Sequence, residues 1–288
     1  MIKNTIPVKT RIPAVAGKFY PSGKDELINL LHSIHLKEEK RFAKDFRPAV
    51  LFGGIVPHAG YVFSGHEAIH FFELVKNHPK QFDTIVILHP NHNGIGPEIA
   101  SDENNAWQTP IGIAEIDTEF RDQMEFEASA LAHKFEHSAE VMVPFLQYKL
   151  PYKFRILPVS MSRQTPQHAL KVAEELIRVQ KILNRRLLLI ASSDFSHYVS
   201  PEYGKKMDQM VIDQIEKGDI EGIYNTVKKN NISVCGFGPI MALLAYAKKL
   251  NEWPEVRILR RGHSGEIIPS QEVVDYVTMA VYSDIEQE

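Results

Sequence analysis

The sequence holds a single cysteine, Cys235, among 288 residues. No internal disulfide can form, and a Cys-x-x-Cys zinc or redox motif is excluded. No apolar run approaches the about 20 residues of a membrane span. The start, Met1-Ile2-Lys3-Asn4-Thr5, has no apolar signal-peptide core, so the cytoplasm is the expected compartment. Charge of one sign is lacking as well: 33 basic against 36 acidic residues leave a formal net charge of -3. That balance offers no basic footprint for nucleic acid. Lys228-Lys229 and Arg260-Arg261 are short clusters that read as solvated faces. Internal repeats, low-complexity tracts and Pro/Gly/Ser-rich linkers are absent, so one domain over residues 1–288 is expected. There is no Gly-x4-Gly-Lys-Ser/Thr loop, no Gly-x-Gly-x-x-Gly and no Gly-x-Ser-x-Gly elbow, which removes support for nucleotide binding and ordinary α/β-hydrolase chemistry. Zincin chemistry is likewise not expected.

What is present is an ordinary globular balance, 44% apolar and 24% charged. Leu27, Leu30, Leu31 and Ile34 recur at helical spacing after the turn Pro21-Ser22-Gly23. Buried strands are expected at 49–56, 82–88, 154–160 and 187–191. Helices are expected at 65–75, 118–134, from a Ser138 cap toward Leu150 with a kink at Pro144, from the Thr165 cap to Leu183, and at 204–216, 220–229 and 238–250. Strand-like segments at 256–259 and 273–282 close the chain as antiparallel additions. Continuous apolar strands alternating with amphipathic helices predict a three-layer α/β/α fold with a mixed central sheet.

Three of these strands run into polar loops. The first leads to Pro57-His58-Ala59-Gly60-Tyr61, the second to His89-Pro90-Asn91-His92-Asn93-Gly94, the third to Ser192-Ser193-Asp194-Phe195-Ser196-His197. Open α/β sheets bind ligands beyond the carboxyl ends of their strands, so loops far apart in sequence can converge there. Imidazole suits iron, copper, zinc and nickel, and it is also the usual general base near neutral pH. Asp194 and His197 are three apart; a helical turn after the strand would point both one way. Taken singly, a histidine in such a loop is more often a hydrogen-bonded loop residue, and Asp194 more often a cap. His89 is expected to bond backbone. His32, His35, His66, His70, His78, His133 and His168 read as surface or packing residues.

The ordered series of motifs resembles the Memo family, called AmmeMemoRadiSam system protein B in bacteria and archaea. The series is Ala16-Gly17-Lys18-Phe19-Tyr20, Pro57-His58-Ala59-Gly60-Tyr61 with Ser64-Gly65, Pro90-Asn91-His92, Glu136-His137-Ser138 with Glu140 and Pro144, Ser192 to His197, and Cys235-Gly236 with Pro239. The resemblance implies a fold like the LigB-type class III extradiol dioxygenases, in which two histidines and a glutamate hold iron. His58 and His92 match the histidine positions, and Cys235 stands where the carboxylate would be. A thiolate there changes the metal's charge distribution and adds an oxidisable ligand, so ordinary extradiol cleavage is not implied. The resemblance implies instead an iron or copper site with redox activity on a small-molecule or peptide ligand, and radical-SAM and AMMECR-type partner proteins. In this reading His58, His92 and Cys235 are ligands. Asp194 and His197 are further ligands or proton-transfer groups. Glu136 and His137 lie at the rim or behind the ligands, and Tyr61 donates to a bound ligand.

Two competing functions follow from the same residues. One is a non-enzymatic module that keeps the cleft and binds a peptide or phosphate. The other is a metal-free hydrolase using Ser192 or Ser193 with a histidine.

Overall fold

Apolar residues alternate to both faces of the central strands, and that alternation sets the layering. The computed structural model describes residues 9–285. The chain begins with β1 (Thr10–Arg11), α1 (Lys24–Glu38), β2 (Val50–Val56), α2 (Tyr61–Asn77) and β3 (Thr84–Pro90). Short elements follow: β4 (Ile99–Ser101), β5 (Ala106–Gln108), β6 (Ile113–Glu115), α3 (Thr118–Gln123), β7 (Glu127–Ala128), α4 (Ala130–Lys134) and α5 (Met142–Lys149). The second half contains β8 (Arg155–Met161), α6 (Pro166–Leu183), β9 (Leu187–Ser192), β10 (His197–Val199), α7 (Pro201–Glu216), α8 (Ile220–Asn230), α9 (Phe237–Leu250), β11 (Glu255–His263) and β12 (Val273–Ser283).

Among the described residues, nine strands form one sheet in the order β10-β12-β2-β9-β3-β8-β4-β7, with β11 paired to β12. β2, β9, β3 and β8 are mutually parallel, whereas β11, β12, β10 and β4 join antiparallel. β1, β5 and β6 form a separate small sheet. On β3, Ile85 and Ile87 pack toward α1, α2 and α5, while Val86 and Leu88 pack toward α6 to α9. Each fully buried Leu or Ile in these layers contributes about 1.5–3 kcal/mol relative to exposure. The three-layer α/β/α expectation with a mixed sheet therefore holds. No helix among the described residues is long and apolar enough to cross a membrane.

Gly53 and Gly54 suit the middle of β2 because neighbours leave no room. A Cβ would stand 2.0 Å from the Leu189 carbonyl oxygen at Gly53 and 2.3 Å from the Phe71 ring at Gly54.

Several expectations are corrected. The single helix over 118–134 is two short helices separated by β7; Ser129 caps the second by accepting from the Ala132 amide. Ser138 caps nothing: α5 starts at Met142, which puts Pro144 in its first turn, where a missing amide does no harm, and no kink is needed. After β9 the chain does not turn helically but enters β10, which pairs with the start of β12. α2 starts four residues earlier than expected, with the Ser64 amide donating to the Gly60 carbonyl.

The parallel strands set the site. β2, β3 and β9 end side by side at Val56, Pro90 and Ser192, and the loops that leave them carry His58, His92 and Asp194.

Candidate metal centre

His58 is buried in the loop after β2. Its amide donates to Asp194 Oδ1 at 2.7 Å, which ties the first loop to the third. Its ring meets Ser192 Oγ through Nδ1 at 2.7 Å, and Ser192 Oγ donates onward to the Ser138 carbonyl at 2.7 Å. A hydroxyl with its proton committed must accept from Nδ1–H, so Nε2 carries the lone pair. The Cys235 Sγ lies 3.2 Å from that Nε2.

His92 and His137 complete a cluster. The rings of His92 and His137 stack at 4.8 Å, and each stands edge-on to His58 at 5.3 Å. The ligand atoms of all three histidines lie within 4.8 Å of one another.

Glu136 organises two of them. Its Oε1 accepts from His92 Nδ1 at 2.9 Å and lies 3.3 Å from His137 Nδ1, while its Oε2 accepts from the His92 amide at 2.7 Å. The amides of His137 and Ser138 and the Ser138 hydroxyl also donate to Oε1. Burial raises the Glu136 pKa, but the hydrogen bond from His92 and the fields of His89, His92 and His137 outweigh it, so the carboxyl is held well below the usual range. A carboxylate bonded to Nδ1 fixes the tautomer and leaves Nε2 for a ligand, a known outer-shell arrangement in metal sites.

The 135–141 loop has no regular structure and is clamped from the first strand. Arg11 is buried, donates to the carbonyls of His133 and Glu136 at 2.8 and 2.7 Å, and pairs with Glu140 at 2.7 Å. Glu140 in turn accepts from the amides of Ala14 and Val15 and from the Tyr20 hydroxyl.

The remaining residues divide. Asp194 lies beneath the cluster, with Oδ2 4.0 Å from His58 Nε2 and its amide donating to Cys235 Sγ at 3.2 Å. Burial pushes its pKa up to about 6 against the opposing bond from His58. Burial, with the Asp194 charge beside it, pushes the Cys235 thiol up, so without a metal the S–H is retained and donates to His58 Nε2. Burial, together with His137 and His92, holds the His58 imidazole well below its usual range. Burial lowers His137 to about 4 despite Glu136.

His197 is not brought into the three-histidine cluster. Its amide and Nδ1 bond the Ser233 hydroxyl and carbonyl at 2.8 and 2.9 Å, and only its field reaches His58 and Asp194. Tyr61 is buried against Tyr20 and Phe145, and its hydroxyl donates to the Val141 carbonyl at 2.6 Å, so that proton is not free for a ligand. His89 bonds the Pro90 carbonyl, as read from sequence. Ser192 is buried with its proton committed, and Ser193 donates to the Asp194 carbonyl while accepting from the Gly236 amide; neither is presented as a nucleophile.

A family model described as Memo-like protein matches residues 11–280. The chain belongs to the Memo family. A MEMO1 family protein of Methanosarcina mazei is 36% identical over 282 residues, covering 95% of this chain and all of that one. One from Saccharolobus solfataricus is 35% identical, covering 93% of this chain and 97% of its own length. Among solved structures, an uncharacterized protein from Escherichia coli K12 superposes with a TM-score of 0.52 at 10% identity, over 80% of this chain and 98% of that one, a likeness of fold.

In this Memo-family chain Glu136 and His137 were expected at the rim or behind the ligands; Glu136 does stand behind His92, whereas His137 stands among the clustered imidazoles. Its signal was the polar triplet Glu136-His137-Ser138 between two helices, but nothing in that spacing says which residue ligates and which orients.

Proposed function

We propose that this Memo-family protein holds an iron or copper ion on His58, His92 and Cys235, with His137 as an added imidazole donor, and that the centre serves redox chemistry on a small molecule or peptide. The observation that supports it most is the pair of relays behind the rings. Ser192 occupies His58 Nδ1 and Glu136 occupies His92 Nδ1, which leaves the Nε2 lone pairs of both rings for an ion, and the three histidines each have a ring nitrogen within 4.8 Å of the others. The donor set fits such an ion: neutral imidazoles suit iron and copper, and a nearby thiol loses its proton on coordination. When bound, the ion would supply one-electron chemistry and Lewis acidity. The chain's own residues orient the rings, hold His58 and His137 below the usual imidazole range, and bring an oxidisable sulfur within reach. Asp194, whose Oδ2 lies 4.0 Å from His58 Nε2, would be the proton-transfer group of this reading.

A phosphate or acidic-peptide module is less well supported. The depressed pKa values of buried His58 and half-buried His137 leave both uncharged at neutral pH, which gives little attraction for an anion.

Metal analysis of anaerobically purified protein tests the proposal. About one equivalent is expected in the unaltered chain, with loss in His58→Ala, His92→Ala and Cys235→Ser. Equal iron and copper occupancy in all variants, or no metal in the unaltered protein, would sink the ligand assignment.

A further inference from the structure

The absence of support for zincin chemistry meets one observation against it. His66-Glu67-Ala68-Ile69-His70 is a His-Glu-x-x-His run lying wholly within α2. Residues four apart share a helix face, so the two imidazoles project the same way. They were expected as surface or packing side chains, yet both meet one carboxylate. Glu38, the last residue of α1, has Oε1 3.3 Å from His66 Nδ1 and Oε2 3.2 Å from His70 Nε2. Two imidazoles and a carboxylate form a donor set for zinc and related divalent ions. Glu38 and His70 are buried, while the His66 side chain keeps 13% exposure, which opens the set to solvent.

A cavity of about 310 Å³ adjoins this set, lined by Glu38, His66, Glu67, His263 and Glu266 together with arginines. Glu67 is 3% exposed, and its Oε2 has no hydrogen-bond partner. Its Oε1 lies 3.9 Å from Arg260 Nη2, but Oε2 is left unpaired; a buried oxygen so left is costly, and a cation bound in place of the carboxyl proton removes that cost. His263 Nδ1, on the same cavity, is also unpartnered. Gly262 is matched to this arrangement, since a Cβ there would stand 2.2 Å from Glu67 Oε1.

We propose that this place between α1, α2 and β11 is a second divalent-cation site of the zinc class, with Glu38, His66 and His70 as protein ligands and Glu67 as the adjacent carboxylate. Three cationic side chains oppose it: Lys37, which lines the same cavity and acts on His66, and two arginines. Arg41 and Arg260 approach Glu38 at 3.0 and 3.4 Å. Arg41 is 60% exposed and can turn into water. Arg260 keeps its bond to the Arg261 carbonyl at 2.6 Å and its contact with Glu266 at 3.5 Å. The imidazoles now face different oxygens of Glu38, so the ion displaces an ion-pair network instead of entering a finished cage. Its affinity is therefore below that of the His58 centre.

Cobalt(II) titration of metal-free full-length protein, followed by ligand-field absorption and reversed by zinc, tests this. Two equivalents bind the unaltered chain, and one remains in His58→Ala/His92→Ala. That remaining equivalent is lost when His66→Gln/His70→Gln is added, and His66→Gln/His70→Gln alone keeps one equivalent at the His58 centre. Were the His58 reading wrong but this one right, the unaltered chain would bind one equivalent and His66→Gln/His70→Gln none. Because the Glu38 network is buried, crystals of the unaltered protein soaked in zinc give a second readout: an anomalous peak between Glu38, His66 and His70. No peak there, or cobalt binding indifferent to His66→Gln/His70→Gln, overturns the proposal.

Discussion

Ser192 Oγ lies 2.7 Å from His58 Nδ1 and donates its own proton to the Ser138 carbonyl. A hydroxyl on β9 thereby decides which nitrogen of a β2-loop histidine faces the cluster. Outer partners of this kind are worth about 10–100-fold in metal affinity. Ser192→Ala should weaken iron or copper binding by about that factor in a chelator competition, while changing folding stability by only about 1 kcal/mol. An unchanged affinity would show that the relay does not set the tautomer.

Glu136 is the hub for His92, His137 and Ser138. Glu136→Gln removes the charge and turns an amide N–H₂ toward existing N–H donors. Metal affinity should fall by about 10–100-fold. The unfolding free energy should fall by about 1–3 kcal/mol in urea titration, because buried donors lose their acceptor. A change in affinity without a change in stability would mean that the loop is held by Arg11 alone.

Burial and Asp194 keep the Cys235 thiol protonated when no metal is bound. Since the thiolate is the nucleophile, iodoacetamide should modify Cys235 in metal-free protein at pH 8 at least about tenfold more slowly than free cysteine. Peptide mass spectrometry measures the rate directly. Alkylation as fast as free cysteine would contradict the hydrogen bond to His58.

Asp208 and Asp275 form a buried acidic pair that contributes to the pH dependence of stability. Burial, and Asp208 beside it, push the Asp275 carboxyl up to about 8; Arg261 opposes this weakly. Burial likewise raises Glu67 to about 8. In the unfolded chain these groups titrate near about 4. Between those values the folded state holds more protons, so stability present at acid pH is lost as pH rises toward 8. Below about pH 6.5 the buried histidines, neutral when folded, act in the opposite sense; urea midpoints should therefore decline from about pH 7 to about pH 9, and less steeply in Asp275→Asn. The same slope in both proteins would remove Asp275 from the account.

Arg11 joins the first strand to the loop of Glu136 and His137. Arg11→Ala leaves Glu140 buried without its cation and should cost about 3–5 kcal/mol in urea unfolding. Arg11→Lys should restore little, because an ammonium cannot span Glu140 and two carbonyls as the guanidinium fork does. Full recovery by lysine would reduce the clamp to charge alone.

The layering and the strand-end loops were legible because β2, β3, β8 and β9 are largely apolar runs that stop at polar segments. His58, His92 and Asp194 could be placed together on that ground. His137 could not, since its loop is positioned by Arg11 more than 120 residues away, a contact no local pattern carries. His197 was read through a helical turn that the chain does not make. The split of 118–134 was hidden by helix-favouring composition on either side of Phe126, where tertiary pairing of β7 with β4 prevails. Tyr61 sits beside His58 in sequence, but the first turn of α2 rotates its hydroxyl toward Val141.

X-ray absorption at the iron and copper edges of anaerobically purified protein tests the central claim most directly. The account predicts one bound ion with imidazole outer-shell scattering and a single sulfur neighbour that disappears in Cys235→Ser. A metal shell without imidazole scattering, or one indifferent to His58→Ala, would contradict it.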